Sequence, residues 1–353
     1  MPLEPLRDNL SPGVAVRRPR RLRPATSSAR LTVGRSTVAA MSVPVLDHEA
    51  VLSAVSATRA IAEVRAAFIR YHHGEWAMPP KLYLPSPPHG DFRAMPALGD
   101  GLAILKWVTS FPGNHNNQVP TVSGLVCVSD AADGALLMLL DGRAVTALRT
   151  GAAAAVAASA LAPTNRTIGI VGCGVHGRWA ARCLQAEGFG PGICADPNAD
   201  AAAALADELG WTTGTREQAV AAGVVTTTTP GTVPVITGAD LHPGLHLTML
   251  GADGPGKAET TVDVICRCTL FCDEWAQASH GGEISRAVEQ GRVTRHDVTD
   301  LGAVLAGEHP GRTTDEEATL FDSTGLAIQD LAIARAAWDA WQAGAVDAQT
   351  VTL

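Results

Sequence analysis

A glycine pattern of the form G-x-G-x-x-G separates a strand-like run from a helical stretch, with its glycines at Gly172, Gly174 and Gly177. The strand-like run covers residues 167–171, and the helical stretch begins at Arg178. Glycines at this spacing permit a tight turn, a close approach of backbone N–H groups to phosphate, and close packing of the helix on the strand. Because a helix N-terminus attracts anions, the pattern predicts a dinucleotide site that includes Val175 and His176. An ordinary glycine turn is the alternative, and the flanking elements disfavour it.

An acidic residue, Asp196, follows a second strand-like run at residues 192–195. It stands about 20 residues after the glycines, where an acid bonds the ribose 2′-hydroxyl in dinucleotide-binding folds. A carboxylate at that point also repels a 2′-phosphate. The sequence therefore predicts NAD as the cofactor rather than NADP.

Four basic residues stand in apolar or conformationally tight surroundings, at Lys81, Arg93, Lys106 and Arg149. Lys106 lies inside the apolar run 103–108, where a lysine is costly to bury unless an anion pairs with it. The alternative is a lysine at an exposed edge, whose stem lies on the apolar surface while its amine reaches water. For Lys81 and Arg93, ordinary surface positions are also open.

A further charged residue, Asp253, lies in the glycine-rich loop 251–259, directly after a predicted parallel strand. In doubly wound sheets ligands bind at the carboxyl ends of the strands, so Asp253 is expected at that edge. A simple glycine-proline turn is the alternative. In the segment 320–330, Ser323 or Thr324 either caps the last helix or contacts the cofactor.

Apolar spacing and turn signals predict the elements that position these residues. Helices are expected at residues 46–71, 147–161 and 325–341. Before the glycines, a mostly antiparallel or mixed sheet is expected from strand-like segments at residues 81–84, 103–109, 123–128 and 135–140. After the glycines, strands alternate with helices, which indicates βαβ units on a parallel sheet.

These elements predict an α/β protein with a Rossmann-type doubly wound NAD domain and a discontinuous α+β domain. The NAD domain is assigned to residues 163–321. The second domain is assigned to residues 41–162 with 322–353, because the last helix needs an apolar surface that the first segment offers. Residues 1–40 carry eight arginines against two acidic residues, which predicts a disordered arm. The arm resembles a transit peptide in part, but its prolines favour a dispensable extension.

Composition disfavours several function classes. The formal net charge is −8 over 353 residues, which argues against nucleic acid as a partner. The longest apolar run, residues 151–162, is too short to span a membrane, so no membrane association is expected. Seven cysteines without a disulfide spacing indicate a reducing, cytoplasmic setting. Cys266, Cys268 and Cys272 would share one strand face as buried thiols, so no metal is predicted.

Together these stretches are similar to the ornithine cyclodeaminase/μ-crystallin family from about residue 51 to residue 341. Besides the glycines, the resemblance is carried by residues 78–83, 90–97, 105–108, 148–152, 251–259, 280–284 and 321–330. Within the family the chain is most similar to alanine dehydrogenases of archaeal type, which share its GDFR, GADGPGK and DSTGLAIQD stretches. Ornithine cyclodeaminases typically carry a glutamate where Arg93 stands. Lys81 replaces the arginine of many relatives, which keeps the charge and loses bidentate geometry.

The resemblance implies hydride transfer between NAD and the carbon of an amino-acid C–N bond. It assigns the substrate carboxylate to a clamp of Lys81, Arg93 and Arg149. Lys106 is the predicted acid–base group, since desolvation and neighbouring cations should lower its pKa. Asp253 is expected to orient the substrate nitrogen or a water. The predicted cofactor contacts are Thr150, Gly172, Gly174, Val175, His176, Gly177, Asp196, Thr228, Thr229, Gly251, Ala252 and Ser323.

The resemblance also implies a homodimer formed through the α+β domain, with the active site between the domains. Three functions stay open. An alanine dehydrogenase forms pyruvate, ammonia and NADH from alanine. An ornithine or lysine cyclodeaminase forms proline or pipecolate without net NAD reduction, and a cyclic imine reductase is related to it. A non-catalytic nicotinamide-binding protein of μ-crystallin type is disfavoured, because Lys106 and Asp253 are both present.

Overall fold

The structure is a computed structural model that describes residues 41–117, 119–163, 166–254 and 256–353. The predicted arm at residues 1–40 lies outside these ranges. So do two residues of the predicted linker between the domains, Thr164 and Asn165, and Pro255 of the glycine-rich loop. The described residues form two β-sheets with helices packed on them.

The strands follow one another along the chain as β1 (Ser42–Leu46), β2 (Leu82–Ser86), β3 (Gly90–Gly99), β4 (Leu102–Ser110), β5 (Val122–Asp130), β6 (Leu136–Asp141), β7 (Ile168–Val171), β8 (Gly192–Ala195), β9 (Thr212–Thr213), β10 (Val224–Thr227), β11 (His246–Met249), β12 (Thr269–Cys272), β13 (Val298–Asp300), β14 (Thr319–Asp322) and β15 (Gln349–Thr352). The helices are α1 (His48–Ala54), α2 (Ala57–His72), α3 (Gly142–Leu161), α4 (Val175–Ala186), α5 (Ala199–Leu209), α6 (Arg216–Val220), α7 (Val262–Ile265), α8 (Trp275–Gly281), α9 (Ser285–Glu289), α10 (Leu301–Leu305) and α11 (Ala327–Gln342).

The first sheet has seven strands in the order β15-β1-β6-β5-β4-β3-β2. Only β1 and β6 pair in parallel within it, so the predicted mixed sheet is present. Ser42 pairs with Thr352, which brings the first described strand and the last strand together. The domain boundaries stay a prediction, because residues 41–353 group as one compact unit.

The second sheet has eight parallel strands in the order β13-β12-β14-β11-β10-β7-β8-β9. The strand order reverses on the two sides of β7, which makes the gap between β7 and β10 a switch point. Ligands bind at the carboxyl ends of the strands at such points. The predicted doubly wound, Rossmann-type sheet is confirmed.

Helix α3 is longer than predicted, because the Asp141 carboxylate accepts a hydrogen bond from the Ala144 N–H and so caps a helix that begins at Gly142. Its 20 residues are long and apolar enough to cross a membrane, so the expectation that no apolar run reaches that length is wrong. However, 83% of its most apolar window is buried inside the protein, which is typical of a core helix. A Cβ at Gly151 would lie 2.4 Å from the Trp179 carbonyl oxygen, so glycine permits the close packing of α3 on α4.

Two other predictions need correction. The expected helix at residues 46–71 is two helices, because the Ser56 hydroxyl accepts from the Arg59 N–H and starts α2 afresh. Strand β3 is absent from the predicted strands, since Pro96 and the glycines at its ends argue against a strand.

The cysteine prediction is also wrong in its geometry. Only Cys272 lies on a strand, whereas Cys266 ends α7 and Cys268 lies in the turn that follows. The three thiols therefore do not share a strand face. In the described ranges no three metal-ligating side chains form a group, and all seven cysteines are free.

Candidate active site

The candidate site lies where the loop after β11 meets the inner face of the first sheet. Strands β3 and β4 supply Arg93 and Lys106, and both side chains are buried. Neighbouring residues of a strand point to opposite faces, so Leu105 and Trp107 lie on the exposed outer face. Asp253, in the loop that follows β11, accepts a hydrogen bond from Arg93 at 2.7 Å. The two sheets therefore both contribute charged residues to one place.

The glycine pattern has the geometry of a phosphate-binding turn. Gly172 has φ +97°, a conformation that favours glycine, and Gly177 lies so close to Gly172 that a Cβ there would be 1.9 Å from its carbonyl oxygen. Gly174 precedes α4, where no side chain caps the first N–H groups, and a Cβ on Gly174 would meet open space. Unpaired N–H groups at the start of a helix bind anions. The residues present fit the pyrophosphate of a dinucleotide.

The Asp196 carboxylate lies beside this turn at the end of β8. It accepts hydrogen bonds from the Cys173 N–H at 2.6 Å and from the Asn198 N–H at 2.8 Å. Each oxygen keeps lone pairs for a further donor. Asp196 is therefore held where a ribose hydroxyl next to the pyrophosphate is expected.

Buried polar atoms without a hydrogen-bond partner gather on two helices at this site. On α3 they are Arg149 Nε and Thr150 Oγ1, and on α11 they are Gln329 Nε2 and Asp330 Oδ2. Buried polar groups are nearly always paired in folded proteins, so such a cluster is typical of a ligand-binding surface. Thr150, a predicted cofactor contact, is among them.

Several other predicted cofactor contacts are engaged within the protein. The Thr228 hydroxyl donates to the Gly172 carbonyl at 2.9 Å, and the Thr229 hydroxyl donates to Glu259 at 2.9 Å. Glu259 also accepts from the Gly251 N–H at 2.7 Å, which ties the loop that carries Asp253 to the end of β10. Ala252 and Ser323 are buried. These residues shape the edge of the sheet, and their contact with a cofactor stays a prediction.

Lys106 pairs with a carboxylate from the other end of the chain. Its Nζ donates to Asp330 Oδ1 at 2.8 Å, and Arg149 Nε lies 3.5 Å from the same oxygen. Arg149 Nη1 also donates to Gln329 at 3.3 Å. Burial lowers the pKa of Lys106 to about 8, against the attraction of Asp330 and with the added repulsion of Arg149. A fraction of neutral amine is therefore present near neutral pH.

Arg93 is held between two carboxylates. Its Nε donates to Asp91 at 2.6 Å and its Nη1 donates to Asp253 at 2.7 Å. Lys257 donates to the second oxygen of Asp253 at 2.5 Å. Burial opposes ionisation of Asp253, but Arg93 and Lys257 outweigh it and hold the pKa of this carboxyl well below its usual range. Asp253 is therefore ionised and accepts hydrogen bonds.

Lys81 differs from the other predicted cations. Its Nζ donates to the Thr324 carbonyl at 2.7 Å, and within the described residues no carboxylate oxygen lies within 4.0 Å of it. Burial is the main reason that the pKa of Lys81 falls to about 8; Asp253 and Asp273 oppose the shift, and Arg93 adds to it.

His176, a predicted cofactor contact at the start of α4, lies close enough to Arg149, Asp253 and Lys106 for their charges to act on it. Burial lowers its pKa to about 4, and the repulsion of Arg149 adds to the shift. The imidazole is therefore neutral at pH 7. All five predicted substrate-binding and catalytic residues lie in one network of charges with it.

The sequence interpretation misses the partners of these residues, which are Asp91, Lys257, Asp273, Gln329 and Asp330. Two signals were available. Asp91 stands two residues before Arg93, so both lie on one face of a strand. Asp273 directly follows β12, at the carboxyl edge where Asp253 is also found.

The fold and this arrangement agree with known proteins. The alanine dehydrogenase of Archaeoglobus fulgidus is 39% identical over 307 residues, which cover 85% of this chain and 95% of that protein. A solved archaeal alanine dehydrogenase dimer with bound NAD matches with a TM-score of 0.84 at 37% identity, over 88% of this chain and 99% of that chain. The Δ1-pyrroline-2-carboxylate reductase of Thermococcus litoralis, solved with NADH and L-proline, matches with a TM-score of 0.83 at 25% identity, over 88% and 100% of the two chains.

The family assignment follows from the extent of the match. The sequence profile of the ornithine cyclodeaminase/mu-crystallin family covers residues 42–345, which is most of the chain. The predicted family is confirmed by that match and by the relatives above. The chain belongs to the ornithine cyclodeaminase/mu-crystallin family.

Proposed function

We propose that the protein is an NAD-dependent alanine dehydrogenase, which converts L-alanine, NAD and water into pyruvate, ammonium, NADH and a proton. The observation that carries the proposal is a buried lysine, Lys106, which has a pKa of about 8. Lys106 lies in the same network of charged side chains as the ionised Asp253. This network lies at the edge of a sheet with a dinucleotide-binding turn. The similarity to alanine dehydrogenases of known sequence and structure supports it.

The cofactor proposal rests on the turn and on Asp196. The uncapped N-terminus of α4 suits a pyrophosphate, and Asp196 suits a ribose with a free 2′-hydroxyl. Thr150, Ala252 and Ser323 are proposed as further cofactor contacts. When bound, NAD accepts the hydride that leaves the α-carbon of the substrate.

The protein's own residues then have separable roles. Lys81 and Arg149 bind the substrate carboxylate, since Lys81 has no carboxylate partner among the described residues and Arg149 Nε, 3.5 Å from Asp330, makes no hydrogen bond there. Neutral Lys106 takes a proton from the substrate ammonium group and releases it to solvent once the imine has formed. It then takes a proton from the water that adds to the imine carbon and returns that proton to the departing nitrogen. Asp253 stays ionised throughout and orients the nitrogen or that water as a hydrogen-bond acceptor. Ammonia leaves as the carbon–oxygen double bond forms.

A second candidate is a cyclodeaminase or cyclic imine reductase, which the family name and the reductase structure support. Arg93 weighs against ornithine or lysine as the substrate. Its guanidinium has only donors and pairs with Asp253, so it offers no acceptor to the terminal ammonium group of a diamino acid. A non-catalytic nicotinamide-binding protein remains the alternative from another class.

One assay separates these functions. Purified protein is incubated with NAD and single amino acids while NADH and ammonia are followed. NADH formed with alanine supports the dehydrogenase. Ammonia and proline formed from ornithine without NADH support the cyclodeaminase, and NADH consumption with a cyclic imine supports the reductase. NADH binding without turnover of any substrate would support the non-catalytic alternative and contradict the proposal.

We also propose a homodimer formed through the outer face of the first sheet. Six large apolar side chains on β2 to β5 are 40–59% exposed on that face, namely Leu82, Leu84, Leu98, Leu105, Trp107 and Leu125. An apolar face of this kind is typical of a protein interface. A Leu105→Asp/Trp107→Asp double variant should elute at half the wild-type mass in light-scattering chromatography. Val233→Asp, at an exposed position outside both sheets, is the control, and an unchanged mass in the double variant would exclude this interface.

The setting we propose is cytoplasmic. Seven free cysteines, four of them buried, suit a reducing compartment. Cell fractionation of the native protein tests this assignment, and recovery from an oxidising compartment would contradict it.

A further inference from the structure

Four charged side chains form a closed cluster around Asp253. Arg93 donates to Asp91 and to Asp253, and Lys257 donates to the other oxygen of Asp253. The cluster therefore holds two cations and two carboxylates, and its charges balance. A second Arg93–Asp91 contact, from Nη2 at 3.3 Å, makes this pair bidentate. Three of the five guanidinium N–H groups are therefore engaged with carboxylates.

The cluster borders a cavity. Asp91 and Lys257 line a space of about 780 Å³, together with His89, Ser110, Phe111 and Asn114. Asp91 is the carboxylate of the cluster that reaches this cavity. A group that enters from the cavity side meets the oppositely charged Asp91 and Lys257.

The other end of the site has an excess of cations. Lys106 and Arg149 share the carboxylate of Asp330, and among the described residues Lys81 donates to the Thr324 carbonyl and to no carboxylate. Two basic side chains thus share one carboxylate, and a third has no carboxylate within ion-pair distance among the described residues. One carboxylate of a substrate is stabilised there. A second carboxylate, placed on the substrate's side chain, would meet a cluster whose cations are already paired with Asp91 and Asp253.

We propose that Asp91 is a specificity-determining residue that restricts the enzyme to amino acids with one carboxylate. This rests on the proposed function. By occupying Arg93, Asp91 removes the cation that would bind the side-chain carboxylate of an amino-dicarboxylic acid. Burying a carboxylate without a cationic partner is costly, so such substrates are rejected.

The test compares alanine and aspartate as substrates of the wild type and of Asp91→Asn. The amide keeps an acceptor for Arg93 Nε and removes the negative charge. We expect the ratio of kcat/KM for aspartate to that for alanine to rise by about tenfold or more, the factor expected from one charge-assisted hydrogen bond. Asp100→Asn is the matched control. It also removes a carboxylate that pairs with an arginine, in the turn after β3, and asparagine tolerates the positive φ of that position.

The outcomes separate the two proposals. If the wild type oxidises neither amino acid, the proposed function is wrong. If it oxidises alanine and the ratio does not rise in Asp91→Asn, or if the wild type already uses aspartate as well as alanine, the role of Asp91 is wrong. If Asp91→Asn does not fold, the role of Asp91 is tested by competitive inhibition of the wild-type enzyme. Propionate should compete with alanine at least about tenfold more tightly than succinate, and equal inhibition would overturn the inference.

Discussion

The Nζ of Lys106 lies 2.8 Å from Oδ1 of Asp330, and the two side chains are 1% and 0% exposed. Lys106 lies in the middle of β4, and Asp330 lies in the first turn of α11, more than 200 residues later. Burial disfavours the charged amine and Asp330 favours it; burial is the larger effect, so the pKa of Lys106 falls to about 8. The pair keeps the amine in place and leaves it able to lose its proton.

Replacing Lys106 by methionine should remove the proton acceptor and keep the apolar stem. We expect kcat for alanine oxidation to fall by about 10²–10⁴-fold, the range typical of a lost general base. NADH binding, followed by its fluorescence, should change little. Arg286→Met, a surface change on α9, is the control for loss of a cation. Full turnover in Lys106→Met would rule out the assigned role.

Replacing Asp330 by asparagine should move the pH dependence of turnover. The wild-type kcat at saturating alanine is expected to rise with pH through about 8, as Lys106 becomes neutral. Asp330 raises the pKa of Lys106, so without its charge burial and Arg149 act unopposed and the inflection should shift to lower pH. Leaving the buried Lys106 without its carboxylate should also lower the free energy of unfolding by about 3–5 kcal/mol. An inflection that stays in place would show that another group titrates.

Replacing Asp196 by asparagine tests the cofactor preference. The amide keeps an acceptor for the Cys173 N–H and removes the charge that repels a 2′-phosphate. The ratio of kcat/KM with NADP to that with NAD should rise by about tenfold, which corresponds to about 1.4 kcal/mol. Asp207→Asn, at an exposed position on α5, is the matched control. An unaltered ratio would mean that Asp196 does not face the ribose.

Asp273 predicts a pH dependence of stability. Its carboxylate accepts from the Gly325 N–H at 2.7 Å and from the Thr324 hydroxyl at 3.0 Å, and so holds the carbonyl that binds Lys81. Burial raises its pKa to about 6, against the attraction of Lys81.

A carboxyl whose pKa is higher in the folded state contributes stability that is complete below pH 4 and is lost as the pH rises through about 6. Asp273→Asn has no proton to lose, so its melting temperature should fall less than that of the wild type between pH 4 and pH 7. The difference corresponds to about 2–3 kcal/mol. Glu259, whose pKa burial raises to about 7, keeps part of the slope in both proteins. If the melting temperatures of the two proteins fall equally between pH 4 and pH 7, the raised pKa of Asp273 is contradicted.

Much of the fold follows from local sequence. The glycines at 172, 174 and 177 predict a phosphate-binding turn because a strand and a helix flank them, and both elements are short-range features. The alternation of strands and helices after them predicts the parallel sheet for the same reason. Strand β3 escapes prediction because its proline and glycines argue against a strand locally, whereas pairing with β2 and β4 on both sides stabilises it.

In the candidate site, too, some residues are predicted from the sequence and others are not. Residue type and local surroundings alone single out Lys81, Arg93, Lys106, Arg149 and Asp253, because charged groups among apolar residues or at a strand's carboxyl end have few structural uses. Their partners depend on contacts between distant parts of the chain. Only the tertiary structure decides that Asp330 neutralises Lys106 and that Asp91 occupies Arg93, since ion pairing and burial are set by distances in space and not by spacing along the sequence.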